Sequence, residues 1–496
     1  MIKEYYDKIC AGEDVRKNLI SLRTALADEK EKRKFVYQLG ADFSQFLHLL
    51  QNEDPKVRKN AALILGEMES EDLLPVLFDA YQKEETKYIR ADYLQAMKRL
   101  DYGDYLVKLK ERLLLLRNQK VETEELKHRN EEIRVLQQMI LACEAPVHHR
   151  FDGYDYRGAV ILVTNRNQRE VTANQVSGGQ RTLLHGGVRV QGVEVRELLP
   201  IRTYTELLFP AGEIPVSDAG SPEQIGRYLA GSGLTELVRK LHTGNPPYYY
   251  RVEWKSTAAP EEKGNFIRKV TEAFEDACNG VWINTTTDYE LELRLIRKKD
   301  GGCLVMLKLF TLKDKRFAYR KETVASSISP VNAALTVELA RPYLKENAQV
   351  LDPFCGVGTM LIERERAVKS KTMYGIDIFG EAIEKARENT ALAGDIVNYI
   401  NRDFFTFEHK YLFDEIITDL PQVTQARQRE QIREIYERFF AYAGSVLNRE
   451  AVMVLYTFEP HFVRKEVKKY REYHIRESWL LNERAGTTVF VIEVKK

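Results

Sequence analysis

QVLDPFCGVGTMLIE, residues 349–363, is an apolar run that stops at Asp352, a turn built on Gly356 and Gly358, and the opening of a helix near Thr359. A short buried strand feeding a glycine turn and then a helix is the first unit of a sheet whose strands run parallel. Glycine supplies φ > 0 and lets a ligand approach the backbone closely. Outward from this unit the pattern repeats. Strands are expected at MYGIDI (373–378), VNYINRDF (397–404), FDEIITDL (413–420) and AVMVLYTF (451–458). Amphipathic helices are expected between them, from Glu381 to about Leu392 and from Arg427 to about Ala443. Strand–helix alternation predicts a mainly parallel sheet with helices on both faces. The last two strands, HIRESWLLN (474–482) and TTVFVIEV (487–494), are separated only by ERAG, so the terminal one is expected antiparallel.

Three acids stand at the ends of successive strands: Asp352, Asp377 and Asp403. In such sheets the carboxyl ends of the strands form the ligand crevice. An acid after the second strand can accept both hydroxyls of a ribose. Asp403 can accept from an adenine amino group, with Phe404 as a wall. The loop is not that of a dinucleotide site, since Leu361 stands where a third glycine belongs. No Gly-Lys-Ser/Thr follows, which excludes a P-loop. An acid opening the loop is a poor neighbour for pyrophosphate and suits the cationic amino-acid half of S-adenosyl-L-methionine. The expected cofactor is therefore that methyl donor, its methionine half held by Asp352, Gly356 and Gly358.

The rest of the chain differs in texture. At 496 residues, roughly three domains of ~150 residues each are expected. Residues 1–145 read as all helical. Leu47, Leu50, Val57, Ala61, Ala62 and Leu65 form one apolar set; Leu74, Leu77, Ile89, Leu94, Ala96 and Leu100 form a second. FLHLLQNEDPKVRKNAALILGEM (46–68) resembles a HEAT-type repeat, with an ordinary helical bundle as the other reading. A charged helix from about 104 to 142 closes the segment. Residues 146–325 read as α+β, with strands at AVILVTN (159–165), GVRVQGVEVREL (187–198), YYYRVEWKS (248–256), YELELRLI (289–296) and CLVMLKLF (303–310), and helices near 222–242 and 262–279. The alternation in YELELRLI suggests one solvated face. Residues 326–496 form the α/β segment.

Composition sets limits. Lys+Arg is 75 against Asp+Glu 74, which excludes a histone-like polycation. The positive excess lies in the middle, at Arg294, Arg297, Lys298, Lys299, Lys308, Lys313, Lys315, Arg316, Arg320 and Lys321, interleaved with Phe310, Phe317 and Tyr319. Such a patch suits phosphates and stacked bases, and equally a solvated sheet face. Cys10, Cys143, Cys278, Cys303 and Cys355 show no C-x-x-C spacing, so no zinc site, no other metal and a reducing, cytoplasmic compartment are expected. No apolar run of membrane-spanning length and no signal-peptide core is seen. His148 and His149 read as loop residues, Cys355 as packing, and Trp254 and Trp282 as core or strand-face residues.

DPFCGVGTMLIE with GIDI, NRDFF and TDLP resembles the catalytic domain of the THUMP-associated RNA methyltransferases, which methylate exocyclic amines, chiefly guanine N2, in tRNA or rRNA. FAYRKETVASSISPVNAALTVELARPY (317–343) resembles the arginine-bearing segment and helix that precede the glycine loop there, the helix lying over the cofactor. ILVTNRNQREVTANQ, GVRVQGVEVRELLPIRTYTELLF, YYYRVEWKS and NFIRKVTEAFEDA are similar to the family's ferredoxin-like and THUMP units. The resemblance covers about 150–496; the helical front is an addition to it. It implies a Rossmann-like class I methyltransferase fold for 326–496 and an RNA-binding middle region. It also implies Asp352, Phe354, Gly356, Gly358, Asp377, Ile378, Asp403 and Phe404 as the cofactor set.

Asp419, Leu420 and Pro421 correspond to the family's catalytic motif. An exocyclic amine is a poor nucleophile because its lone pair is delocalised into the ring. A carboxylate accepting one N–H and a backbone carbonyl accepting the other favour the reactive nitrogen and disperse the charge that develops on it. The resemblance assigns these parts to Asp419 and the Leu420 carbonyl, with Pro421 shaping the loop. Gln422 stands where the family carries an aromatic that stacks on the base; Phe404, Phe405 and Tyr436 are candidate replacements. The expected activity is methyl transfer to a structured RNA, with RNA or protein contacts through the front repeats and no membrane partner. The rival readings are a non-catalytic RNA-binding or scaffold protein, and a methyltransferase for DNA or protein.

Overall fold

The computed structural model describes residues 2–40, 42–119, 123–144, 148–278, 280–325, 327–423, 425 and 428–496. The expected segment boundaries at 145/146 and at 326, the end of the expected helix at 279, and Arg427 at the start of another lie outside them. The chain forms two compact units. One comprises Met1–Arg150, Ala211–Arg239 and Thr243–Val305; the other comprises Phe151–Pro210, Lys240–His242 and Met306–Lys496. The middle segment 146–325 is thus divided between them.

In the first unit, paired helices share one core that includes Leu65, Leu77, Leu94 and Leu136. The Asp-Pro turn acts as the sequence suggests. Asp54 caps Pro55–Glu67 by accepting from Lys56 N at 2.8 Å, and Pro55 occupies the first helical turn. Gly66 lets this helix touch Lys87–Met97, since a Cβ there would meet Ala96 Cα at 2.6 Å. The expected long helix 104–142 is two helices, Leu106–Asn118 and Thr123–Cys143. The expected helix 222–242 is also broken, into Pro222–Gly231 and Leu234–Leu241, where Gly231 and Gly233 flank Ser232. YELELRLI has no solvated face. In Leu291–Arg297 the first five residues are buried, Glu292 among them, because Glu292 pairs with Arg251 and with Arg294 at 2.6 Å.

The second unit carries a small antiparallel group, Gln180–Leu184, Gly187–Gln191, Val160–Thr164 and the start of Tyr204–Ile214, hydrogen-bonded in that order. Val195–Leu198, expected as strand, is a helical turn with a capping box between Glu194 and Glu197. The larger sheet of this unit has seven strands: β1 (Ala348–Asp352), β2 (Ser370–Asp377), β3 (Asn398–Asn401), β4 (Phe413–Asp419), β5 (Leu447–Thr457), β6 (Tyr473–Asn482) and β7 (Thr487–Lys495). Their order is β3-β2-β1-β4-β5-β7-β6. The pairings from β3 to β5 are parallel, and β7 runs antiparallel to both β5 and β6. Helices α1 (Pro330–Ala340), α2 (Thr359–Ala367) and α3 (Gly380–Ala393) pack with Val350 and Val454; α4 (Arg429–Val446) and α5 (Pro460–Val467) pack with Leu351 and Leu455. Adjacent strand residues therefore feed opposite cores, which is why these strands read as continuous apolar runs. Reversal of strand order between β1 and β4 opens a crevice above their carboxyl ends. Among the described residues no helix is long and apolar enough to cross a membrane.

Candidate active site

The crevice is a cavity of about 690 Å³. Asp352, Phe354, Gly356, Asp377, Ile378, Asp403, Phe404, Asp419, Leu420 and Pro421 all line it. Ten of the eleven residues singled out from the sequence are therefore brought together. Gly358 is the exception. It caps α2 with φ 80°, and a Cβ there would meet Tyr399 Oη at 2.1 Å, so its glycine serves packing beneath the loop.

The loop is held by the acids it was expected to present. Asp377 Oδ2 accepts from Gly356 N and its Oδ1 from Phe379 N, both at 2.9 Å. Asp352 Oδ1 accepts from Thr418 Oγ1 at 2.6 Å and Phe354 N at 3.1 Å. Burial raises the Asp352 carboxyl to about 7, against these two hydrogen bonds, and the Asp377 charge adds to the rise. Asp403 caps the turn Phe404–Thr406 by accepting from Phe405 N at 3.0 Å, and lies 3.7 Å from Arg438. Asp419 differs from the other three. Among the described residues its Oδ1 is buried with no hydrogen-bond partner. Burial first, then the Asp352 charge, pushes its carboxyl well above the usual range. A buried unpaired acceptor costs ~1–3 kcal/mol, so its retention at a cavity wall marks a place for a donor.

Several lining residues carried no sequence signal of their own. Val324, Ser327 and Ile328, ahead of α1, line the cavity, whereas α1 itself, expected over the cofactor, is not among the lining elements. Phe379 is 67% exposed at the mouth. Gln428, Gln431, Ile435 and Arg438 lie on one face of the α4 region, a spacing legible only once that face is known to border the cavity. Of the candidate replacements for the missing aromatic, Tyr436 is fully buried and bonded to Thr457 at 2.7 Å, and Phe404 is 1% exposed. Phe405 lines the cavity with Arg438 3.9 Å above its ring.

Outside this cavity several of the candidates are engaged in structure. Arg294, Lys298, Lys308 and Arg316 are paired with acids and Tyr319 is buried against Glu363, whereas Arg297, Lys299, Lys313 and Lys315 are exposed. His149 contacts Glu290 at 2.7 Å and His148 contacts Asp288 at 2.9 Å. Cys355 is buried, Trp282 is core, and Trp254 stacks on Phe266. Among the described residues no group of three or more His, Cys, Asp or Glu is placed to hold a metal ion.

Residues 318–480 match the family model of the RMKL-like methyltransferase domain, and residues 21–114 match that of HEAT repeats. The chain is 28% identical over 167 residues to the tRNA (guanine(10)-N2)-dimethyltransferase of Methanothermobacter thermautotrophicus, covering 33% of this chain and 47% of the relative. The chain thus spans about half the length of the curated relative it matches. In fold it is similar to TrmN from Thermus thermophilus, with TM-score 0.54 and 19% identity, covering 68% of this chain and 99% of that one. It is also similar to SMU.472, described as a methyltransferase and complexed with SAH, with TM-score 0.52 and 13% identity, covering 68% and 98%.

Proposed function

We propose that this protein is an S-adenosylmethionine-dependent methyltransferase acting on an exocyclic base amine of a structured RNA, N2 of guanine in tRNA or rRNA. The observation that carries the reading is Asp419, a half-buried carboxyl group whose Oδ1 is buried and, among the described residues, unpaired, on the wall of a methyltransferase-domain cavity. The name of the curated relative supports guanine N2 and tRNA.

The residues fit the cofactor. Asp352, Asp377, Asp403 and Asp419 line one cavity whose size lies within the ~300–1,000 Å³ of small-molecule sites. Such a cavity attracts a cationic ligand and repels a bare phosphate. Asp352 with the Gly356 loop receives the methionine half, Asp377 the ribose, and Asp403 with Phe404 the adenine. Ile378 and Phe354 supply apolar walls. When bound, S-adenosylmethionine supplies an electrophilic methyl group on a sulfonium. Asp419 accepts one N–H of the incoming amine and the Leu420 carbonyl the other, which orients the nitrogen lone pair towards that methyl group. Pro421 holds the loop. The middle region grips RNA, and the helical repeats add RNA or protein contacts. Five cysteines without a disulfide suit the reducing cytoplasm.

The test is transfer of a labelled methyl group to separated tRNA, rRNA, DNA and protein, with nucleoside mass spectrometry of the product. Methylated guanosine in RNA is expected. Asp419→Ala is expected to abolish transfer while calorimetry still detects S-adenosylmethionine binding. Label in protein or DNA alone, or binding of the donor with no transfer, would reject the reading.

A further inference from the structure

The acids that line the methyl-transfer cavity repel phosphate, so an RNA brought there must be held by cations elsewhere. A second cavity of the same unit supplies them. It measures about 490 Å³ and is lined by Arg202, Lys315, Arg316 and Arg366, with Leu199 and Leu392 among its apolar walls. Among the described residues no acid lines it. The two cavities sit at opposite ends of α2. Thr359 and Met360 border the first and Arg366 the second, about 10 Å apart along the helix axis.

The fold sets the guanidinium groups in place. Arg202 donates two 2.7 Å hydrogen bonds to the buried Glu363. Arg316 donates to Asp314 and to the carbonyls of Ile201 and Tyr204, and only 6% of its side chain is exposed. Both lie over the Phe317 ring, at 4.5 and 5.1 Å. In front of this framework, donors are left over. Among the described residues the Arg366 side chain makes one hydrogen bond, to Ala393 O at 3.1 Å, and the exposed Lys315 side chain makes none. Nor is the charge balanced. These four cations, with the adjacent Arg320, face Asp314, Glu363 and Asp395. Arg320 Nε is buried without a partner among the described residues. The dipole at the end of α2 accounts for Arg366 alone. A surplus of fixed cations around a cavity suits an oxyanion, because planar donors already held in place lose little freedom on binding.

We propose that this second cavity holds a backbone phosphate of the RNA substrate. Lys315 and Arg366 contact the phosphate oxygens, Arg202 and Arg316 supply the fixed positive field behind them, and the adjoining sugar or base rests on Leu199 and Leu392. This rests on the reading of the protein as one that acts on RNA. A phosphate contact of this kind fixes the position of the RNA without reading its sequence.

The experiment measures binding of total tRNA and rRNA to the full chain across a salt series, with inorganic phosphate as competitor, alongside Tm. It compares wild-type protein, Lys315→Gln, the double variant Lys315→Gln with Arg366→Gln, and a control, Lys468→Gln with Arg471→Gln, that removes two exposed cations outside the cavity. The double variant is expected to bind RNA about tenfold more weakly, with the salt dependence reduced by about two phosphate contacts. Lys315→Gln, which has no partner to lose and so leaves Tm unchanged, is expected to show about half of that reduction. The control is expected to match wild type. RNA affinity unchanged in both cavity variants, or an equal loss in the control, would overturn the inference. A loss confined to the double variant and accompanied by a lower Tm would overturn it in favour of a framework role. Phosphate binding abolished by the variants with RNA affinity intact would assign the cavity to a free anion instead. If wild-type protein binds neither tRNA nor rRNA, the underlying reading fails and the inference with it; if it binds RNA and the variants bind equally, only the inference fails.

Discussion

Thr418 donates a 2.6 Å hydrogen bond to Asp352, joining the tips of the adjacent parallel strands β4 and β1 immediately beneath Asp419. This bond orients a carboxyl that burial has raised to about 7. The unfolded chain titrates Asp352 near 3.8, so between that value and about 7 the folded state binds the extra proton. Its contribution to stability is present at low pH and is lost as pH rises through about 7, at up to ~1.4 kcal/mol per pH unit. Unfolding of the ligand-free protein across this window is expected to show that slope, and Asp352→Asn to remove it. Donor binding, measured by calorimetry, is expected to tighten as pH rises through about 7, because ionised Asp352 favours a cation. Equal affinity on both sides of that value would argue against contact between Asp352 and the cationic half.

Asp419 is expected to trade stability for function. Its buried Oδ1 has no partner among the described residues, so an apolar residue of similar size there relieves ~1–3 kcal/mol. Asp419→Leu is expected to raise Tm while abolishing methyl transfer. A variant that loses both Tm and activity would assign Asp419 to the framework.

The two loop glycines are expected to fail differently. Gly356 has φ 51° and open space around a Cβ, so Gly356→Ala adds only backbone strain of ~1 kcal/mol and acts mainly on donor affinity. Gly358→Ala adds a clash with the Tyr399 hydroxyl to φ 80° and acts on folding, lowering Tm by more than Gly356→Ala does. Calorimetric affinity and Tm for the two variants check the contrast, and Tyr399→Ala is expected to recover part of the Gly358→Ala loss.

Arg364 and Glu415 form a fully buried pair linking α2 to β4, with Nη2 and Nε of Arg364 donating at 2.8 and 2.9 Å. Arg364→Met leaves an uncompensated buried carboxylate and is expected to cost ~3–5 kcal/mol. Adding Glu415→Leu is expected to restore part of that in chemical denaturation. A double variant less stable than Arg364→Met would refute the account.

Much of the sheet was legible because its strands are buried on both faces. Runs such as Val350–Leu351 and Ile416–Ile417 then read as strands without tertiary information, and glycines with acids punctuate their ends. The helices at 104–142 and 222–242 misled, because charged residues and glycines near a helix end look much like those within a helix. Leu291–Arg297 misled for another reason. Glu292 and Arg294 pair with Arg251 and Glu253 of the strand Tyr248–Lys255, and pairing across space leaves no trace in alternation.

The sequence by itself determined the strand order of chemistry: which acids end which strands, that the loop between the first two departs from a dinucleotide site, and that a fourth acid precedes a rigid proline. Local spacing suffices for these, since each is a property of a few consecutive residues. Only the tertiary structure decided that, among the described residues, Asp419 keeps an unpaired oxygen while Asp352 accepts from distant Thr418 and Asp377 from Gly356. It likewise decided that Gly358 faces Tyr399, and that a face of α4 completes the cavity. Hydrogen-bond satisfaction depends on which distant groups folding brings within about 3 Å, and that distance is set by packing.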